Sequence, residues 1–272
     1  MSIFHAIVLG IAQGLSEYLP ISSSGHLVLI PWLFGWDDFH GHDSLEKTFD
    51  VALHLGTLLG AVTYFRSDIR RLVRAAILDP RRKDGRLAWL IALSAVPAAI
   101  TGAVLAGPIE DRTDQIGLIA VMLIVGALAL AWADGALGKR TVDEVTRRDA
   151  IVMGAAQALA LQPGVSRSGV TMTAGRFVGL GRDASARFAF LMSLPITAGA
   201  LVFKYLDVRS DGGVPEEMKS AFYWGIAASA VTGYIAVWGT LKIVRSRSFF
   251  PFVVYRILLG LFVLGVLATP WR

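Results

Sequence analysis

An internal repeat constrains the fold of this chain more than any other feature. The stretch GIAQGLSEYLPISSSGHLVL, which begins at Gly10, aligns without a gap on GAAQALALQPGVSRSGVTMT, which begins at Gly154, at an offset of 144 residues. Each copy places a small polar cluster inside an apolar segment. The copies differ at three chemically important positions, where Glu17 aligns with Leu161, Ser23 with Arg167 and His26 with Val170. One copy therefore carries an acid and an imidazole and the other a guanidinium, and together they predict one site.

The apolar character of the chain predicts an integral membrane protein. Hydrophobic residues make up 54% of the sequence, charged residues 17%, and the mean hydropathy is +0.58, which is too apolar for an ordinary soluble domain. Runs long enough, or nearly so, to cross a hydrocarbon core of roughly 30 Å occur at about 49–65, 87–106, 117–134, 186–206, 220–241 and 250–269. We therefore predict six crossings.

Two further apolar segments, about 3–34 and 150–180, are broken near their centres by Pro20 and by Pro163-Gly164. Non-helical backbone at membrane depth is tolerated only where it is buried in protein or lines a polar cavity. Each broken segment therefore predicts a re-entrant hairpin of two short helices. The helix ends at such breaks offer free N–H groups and a positive dipole end, which favour an anionic substrate.

The distribution of basic residues predicts the orientation of the crossings. Lys and Arg are concentrated in the connections 66–86, 135–150 and 242–248, which the positive-inside rule assigns to the cytoplasm. Both termini then lie outside. The basic balance, with a pI near 9.7, reflects topology and anionic headgroups and gives no reason to expect a nucleic-acid partner.

A broken segment followed by three crossings occurs twice, in residues 1–134 and 135–272. Because three is an odd number, the second copy is inverted relative to the first. The predicted fold is a single all-α polytopic membrane domain, 1–272, with six transmembrane helices plus two re-entrant helical hairpins in an inverted-topology repeat.

Gln13, Glu17 and His26 are the first candidates for chemistry. Gln13 and Glu17 stand four residues apart and share one helix face, and a carboxylate inside a membrane segment costs at least about 2.5 kcal/mol, so it marks function by default. An imidazole near a serine and a carboxylate can make the hydroxyl nucleophilic. The alternatives are that Glu17 only satisfies the broken backbone and that His26 is a packed, backbone-bonded histidine. We interpret His5 and His54 as core or interface residues.

Arg167 is the candidate phosphate ligand, because its planar fork suits two phosphate oxygens. The alternative is a structural pairing with Glu17. The hydroxyls of Ser166, Ser168 and Thr171 either donate to the same phosphates or bond back to helix carbonyls. The predicted substrate-binding residues are Gln13, Ser22, Ser24, Gly25, Gly164, Ser166, Ser168, Gly169 and Thr171.

The motifs QGLSE, PISSSGH and PGVSRSG, in this order and inside an internal repeat, closely resemble the undecaprenyl-diphosphate phosphatase family of bacteria, which is also known for bacitracin resistance. The resemblance includes KTFDVALHLGTLL from Lys47 and GLGRDASARFAFLMSLPITAGA from Gly179. It implies hydrolysis of undecaprenyl diphosphate to undecaprenyl phosphate and inorganic phosphate in the bacterial plasma membrane, which recycles the lipid carrier for peptidoglycan and other cell-wall polymers. It also implies that the site opens to the outer face.

The family's site residues carry over to positions that match its motifs. The resemblance implies Glu17 as the acid, Ser23 and His26 as the active-site serine and histidine, and Arg167 as the phosphate-binding arginine. It also implies a divalent cation, Mg²⁺ or Ca²⁺. Many relatives have Glu where this chain has Gln13, which leaves Glu17 as the one obvious direct ligand, so we expect the cation to be bound through the diphosphate.

Three alternatives stay open at this point. His26 rather than Ser23 could be the nucleophile. The chain could be a secondary transporter or a polyprenyl-phosphate carrier, since inverted repeats with broken helices are equally typical of transporters. It could also act as a homodimer.

Overall fold

The computed structural model describes residues 1–39, 42–110, 115–210 and 213–270. Within these ranges the chain forms eleven α-helices and no β-strand. The helices are α1 Ile3–Tyr18, α2 Ser23–Phe34, α3 Asp43–Tyr64, α4 Arg66–Leu78, α5 Lys83–Glu110, α6 Ile116–Asp134, α7 Arg147–Ala158, α8 Arg167–Phe177, α9 Arg182–Ser210, α10 Glu216–Ser246 and α11 Phe250–Leu267. The prediction of an all-α polytopic membrane protein is confirmed.

Five of the described helices, α5, α6, α9, α10 and α11, are long and apolar enough to cross a membrane. A sixth crossing is obtained when α3 and α4 are taken together, although the chain bends by 78° between them. The segment 66–86, predicted as a basic connection, is helical over Arg66–Leu78 and again from Lys83, where α5 begins. The bend follows α3 at Phe65, whose buried ring anchors the corner.

Both broken segments form two short helices, as the proline and glycine positions predict. The helix α1 ends at Tyr18 and Leu19 is extended, because a residue that precedes proline is disfavoured in the α conformation. The break at Pro163-Gly164 separates α7 from α8 in the same way. The re-entrant path of the two pairs and the division of the chain at residue 134 stay predictions.

Close packing fixes the position of α1 and therefore of Gln13 and Glu17. The helix lies against α10, which also packs against α3. A Cβ atom at Gly14 would lie 2.6 Å from the carbonyl oxygen of Ser229, so only glycine allows this approach. Small residues let helices approach in a membrane, where burial of apolar surface does not drive association.

The contacts between the two predicted copies are reciprocal. The helix α1 of the first copy packs on α10 of the second, and α7 of the second copy packs on α5 of the first. The helices α6 and α11, one from each copy, pack against each other beside the breaks. This is the arrangement that a two-fold-related repeat would produce.

Candidate active site

The caps of α2 and α8 have the same unusual backbone. Ser22 and Ser166 have φ angles of 76° and 73°, and they are the only non-glycine residues with positive φ in the described part of the chain. Each hydroxyl accepts a hydrogen bond from the N–H three residues later, from Gly25 at 3.3 Å and from Gly169 at 3.1 Å. Such a conformation is costly for a serine and is typical of functional sites.

The two breaks contact each other directly. The Oγ of Ser22 also accepts a hydrogen bond from the N–H of Gly164 at 3.1 Å, and the Oγ of Ser168 donates to the carbonyl of Leu19 at 3.0 Å. The N-termini of α2 and α8 are thereby held side by side. Their first-turn N–H groups lack intrahelical acceptors and carry the positive end of the helix dipole, so the arrangement suits an anion.

Glu17 lies at the centre of the polar cluster, with a side chain that is 5% exposed. Its Oε2 accepts hydrogen bonds from the Oγ of Ser23 at 2.6 Å and from the Nε2 of Gln13 at 3.1 Å. Its Oε1 lies 2.9 Å from the Nη2 of Arg167. Because this carboxylate already accepts a hydrogen bond from the Ser23 hydroxyl, it is placed to act as a general base toward that hydroxyl.

Arg167 pairs with Glu17 in the structure. This pairing is the alternative to phosphate binding that the sequence left open. The Nη1 of Arg167 donates to the Oγ1 of Thr197 at 2.7 Å. A guanidinium has five N–H donors, so these two contacts leave donors for a phosphate. The side chain is 25% exposed and borders a small pocket lined by Glu17, Tyr18, Arg167, Ser168, Thr171, Ala189, Phe190 and Ser193.

Both ring nitrogens of His26 are bonded to groups other than Ser23 and Glu17. Its Nδ1 lies 2.7 Å from the carbonyl of Ser22, which can only accept, so Nδ1 is the protonated nitrogen. Its Nε2 then accepts a hydrogen bond from the hydroxyl of Tyr255 at 2.6 Å, and the two rings are stacked. The group that contacts the Ser23 hydroxyl is therefore Glu17 and not His26.

Comparison with known proteins identifies the family. Residues 6–262 match the model of the bacitracin resistance protein BacA family. The chain belongs to this family. It is 48% identical over 273 residues to an undecaprenyl-diphosphatase of Geobacter sulfurreducens, covering 98% of this chain and 99% of the relative. It is 44% identical over 270 residues to an undecaprenyl-diphosphatase of Pelotomaculum thermopropionicum, covering 99% and 98%.

Several predicted substrate-binding residues of this BacA family member form hydrogen bonds within α8 and its cap. The hydroxyl of Thr171 bonds back to the carbonyls of Arg167 and Ser168 at 2.8 and 3.2 Å. Ser166 caps α8 and lies 3.3 Å from the Oγ of Ser168. Ser24, in the first turn of α2, is half-buried. The assignment of substrate binding to these residues stays a prediction.

Arg256 contacts both breaks and is not among the site residues predicted from the sequence. It lies on α11, its side chain is fully buried, and it donates to carbonyls on both sides of the site. The acceptors are Gly164 and Val165 at 2.9 Å, Leu123 at 3.1 Å, and Pro20 and Met122 at 3.4 Å. One guanidinium thus satisfies backbone oxygens in both breaks. An arginine inside the apolar run 250–269 is a signal that could have found it.

Three other residues contact the predicted site residues. Tyr255 binds His26 and Thr197 binds Arg167. The Nε2 of His54 lies 3.6 Å from the Oε2 of Glu17, a contact that the interpretation of His54 as a core or interface residue does not include. These contacts join distant parts of the chain, and no local sequence pattern predicts them.

The described residues do not form a protein cage for a divalent cation. No group of three or more His, Cys, Asp or Glu side chains that could hold a metal occurs in the part of the chain that the structure describes. The carboxylate of Glu17 is already paired with Arg167 and Ser23. Among the described residues, the Oε1 of Gln13 is a buried oxygen beside Glu17 that has no hydrogen-bond partner, whereas Mg²⁺ and Ca²⁺ take six or more oxygen ligands.

Proposed function

We propose that this protein is an undecaprenyl-diphosphatase. It hydrolyses undecaprenyl diphosphate to undecaprenyl phosphate and inorganic phosphate, recycles the lipid carrier for peptidoglycan and other cell-wall polymers, and confers bacitracin resistance. The support is membership of the BacA family across residues 6–262, the names of relatives that match nearly the whole chain, and the polytopic fold. The observation that carries the chemistry is the hydrogen bond of 2.6 Å from Ser23 to Glu17.

In the reaction that we propose, Ser23 attacks the terminal phosphorus. Glu17 takes the hydroxyl proton as the Oγ–P bond forms, and the bridging P–O bond breaks with its electron pair on undecaprenyl phosphate. Water then cleaves the phosphoserine and releases inorganic phosphate. His26 is the less favourable nucleophile because its Nε2 already accepts a hydrogen bond from Tyr255.

Arg167 and the first-turn N–H groups of α2 and α8 hold the phosphoryl oxygens in this proposal. Charge develops on these oxygens in the transition state, and preorganised donors in a buried site stabilise it strongly. The support is that Arg167 occupies the first position of α8, as Ser23 does in α2, and that both contact Glu17. A transporter would need a binding site, but it would not need a carboxylate that is hydrogen-bonded to a serine hydroxyl and can remove its proton.

We propose that a divalent cation enters with the diphosphate, because the described side chains offer too few oxygen ligands for a cage. We also propose that the enzyme acts in the bacterial plasma membrane, with its site open to the outer face and both termini outside. The alternation of basic connections supports the position of the termini, and the family resemblance supports the outward opening of the site. Association into homodimers stays a prediction.

Phosphate release by the purified protein tests the proposal. The protein in detergent is given undecaprenyl diphosphate with Mg²⁺ or Ca²⁺, and in parallel with a chelator, and Ser23→Ala serves as the matched control. We expect release by the wild type with the cation and a strong reduction by the chelator. Absence of release under both conditions would refute the enzymatic function, and undiminished release with the chelator would refute the role of the cation.

A further inference from the structure

The two oxygens of Glu17 have different neighbours. Oε1 faces the guanidinium of Arg167 at 2.9 Å. Oε2 is approached by three groups, Ser23 at 2.6 Å, Gln13 at 3.1 Å and His54 at 3.6 Å. Oε2 is therefore the oxygen that receives the serine proton, and His54 is the one titratable side chain recorded next to it among the described residues.

The state of the His54 ring follows from its other contact. The Nδ1 of His54 lies 2.8 Å from the carbonyl oxygen of Asp50, one turn earlier on α3. A carbonyl can only accept, so Nδ1 carries the proton. In the neutral ring the Nε2 is then unprotonated, and its lone pair is available to accept a proton from the direction of Glu17.

The reaction releases a proton that must leave this cluster. With the substrate and products in their ionised forms, cleavage of the diphosphate by Ser23 yields phosphoserine, undecaprenyl phosphate and one proton. The second step consumes one water and returns the serine hydroxyl and hydrogen phosphate without further release. Each turnover therefore leaves one proton on Oε2 of Glu17, and that proton must be removed before the next attack.

The other groups around Glu17 cannot take this proton. Arg167 is always protonated, and the amide nitrogen of Gln13 is a donor only. We propose that His54 accepts the proton from Glu17 and passes it to solvent. This inference rests on the proposed phosphatase function. The side chain of His54 is 25% exposed, compared with 5% for Glu17, so the imidazole is the less enclosed of the two groups.

The gap between Nε2 and Oε2 is compatible with this role. At 3.6 Å it exceeds an ordinary hydrogen bond by about half an ångström. Contacts of catalytic groups are often this long without substrate and tighten when substrate is bound. Among the described residues, the charged groups on the side of His54 Nε2 include Glu17 on α1 and, behind it, Arg167 on α8.

The unequal repeat supports the same role. When α3 is aligned with α9, Phe49 and His54 correspond to Phe188 and Ser193. The sequences that follow, LGTLLGA and LPITAGA, both end in GA. Both phenylalanines are buried. The imidazole therefore occurs only in the copy that carries the acid, whereas the corresponding Ser193 borders the pocket at Arg167.

Substitution of His54 with added small bases tests the proposal. We expect His54→Gln to lower kcat for undecaprenyl diphosphate by about 100-fold with KM changed less than about twofold, because binding is left intact. The rate of His54→Ala should increase with added imidazole and with the concentration of buffer base. His5→Gln is the matched control, since His5 is bonded to Asp38 near the start of α1, and it should retain wild-type kcat.

The outcomes separate the two proposals. A wild-type protein that releases no phosphate refutes the phosphatase function itself. An active wild type with full activity in His54→Gln refutes the relay. His54→Ala can also lose activity, unfold at the wild-type temperature and not be rescued by imidazole. This result refutes the relay, because the lost function is then not that of a base. If His54→Gln does not fold, the imidazole titration of His54→Asn decides by the same criteria.

Discussion

The ion pair between Glu17 and Arg167 allows a prediction that separates structure from chemistry. The two groups are 2.9 Å apart, and their side chains are 5% and 25% exposed. Replacing either one by glutamine leaves a charge without its partner, whereas replacing both removes the charges together. We therefore expect each single variant to be less stable than the double variant Glu17→Gln, Arg167→Gln.

The structure sets the expected size of this effect. Breaking a buried ion pair by removing one partner costs about 3–5 kcal/mol, and the partial exposure of Arg167 reduces this to about 2–3 kcal/mol because solvent screens the charge. For a chain of this size, such a loss lowers the unfolding temperature by about 4–6 °C. The coupling energy between the two substitutions should be about 2 kcal/mol.

Thermal unfolding in detergent, followed by fluorescence or light scattering, measures the four corners of this cycle. The control is the exposed pair Arg245 and Asp183, whose side chains are 57% and 43% exposed at a distance of 2.9 Å, and its coupling should be below about 0.5 kcal/mol. A coupling between Glu17 and Arg167 that is no larger than this control would show that the pair does not stabilise the fold.

Phosphate release by the same four proteins tests the chemistry. The double variant should regain stability and stay inactive, because it lacks both the base for Ser23 and the guanidinium for the phosphate. Arg167→Lys should fail almost as badly as Arg167→Ala, since an ammonium keeps the charge and loses the fork. Substantial activity in the double variant would mean that Glu17 and Arg167 are only a structural pair, and the assignment of the site would be wrong.

Three further predictions concern Ser23, Arg256 and the membrane topology. Ser23→Ala should lower kcat by orders of magnitude with little change in KM, and retention of more than about a tenth of the activity would move the nucleophile to His26. Arg256→Met should lower the unfolding temperature by about 6 °C or more, because the three nearest of its five acceptor carbonyls lose their donor at a cost of about 1 kcal/mol or more each; a change within about 1 °C would contradict its structural role. In this cysteine-free chain, Ser67→Cys and Glu216→Cys should react with an impermeant maleimide from opposite faces of the membrane, and labelling from one face would contradict the inverted topology.

Much of the fold is predictable from the sequence, because the helices of a membrane protein are marked by short stretches of apolar residues and by prolines. Apolar length gives the crossings, and Pro20 and Pro163 mark the breaks. The helix α4 is the exception among the described elements. The charges of 66–86 indicate a cytoplasmic connection, but a basic segment can also be an amphipathic helix, and the number of charges does not distinguish the two.

The membership of the site is also predictable, but its pairings are not. The repeat identifies Glu17, Ser23 and Arg167, and the structure brings all three together. The partner of His26 is Tyr255, 229 residues later, and that of Glu17 includes His54 on another helix. Such contacts depend on side-chain rotamers and on how α3 and α11 pack. Neither can be predicted from the spacing of residues along a helix.

The unequal repeat explains how one backbone arrangement supplies two different groups to one carboxylate. Ser23 and Arg167 follow the strained caps Ser22 and Ser166, so each is the first residue of its helix. The two equivalent positions direct a hydroxyl to Oε2 of Glu17 and a guanidinium to its Oε1. Two identical copies would place either two hydroxyls or two guanidiniums there, and neither combination could both attack and hold a phosphate. A phosphatase site therefore requires the backbone symmetry to be kept and the side chains at this one position to differ.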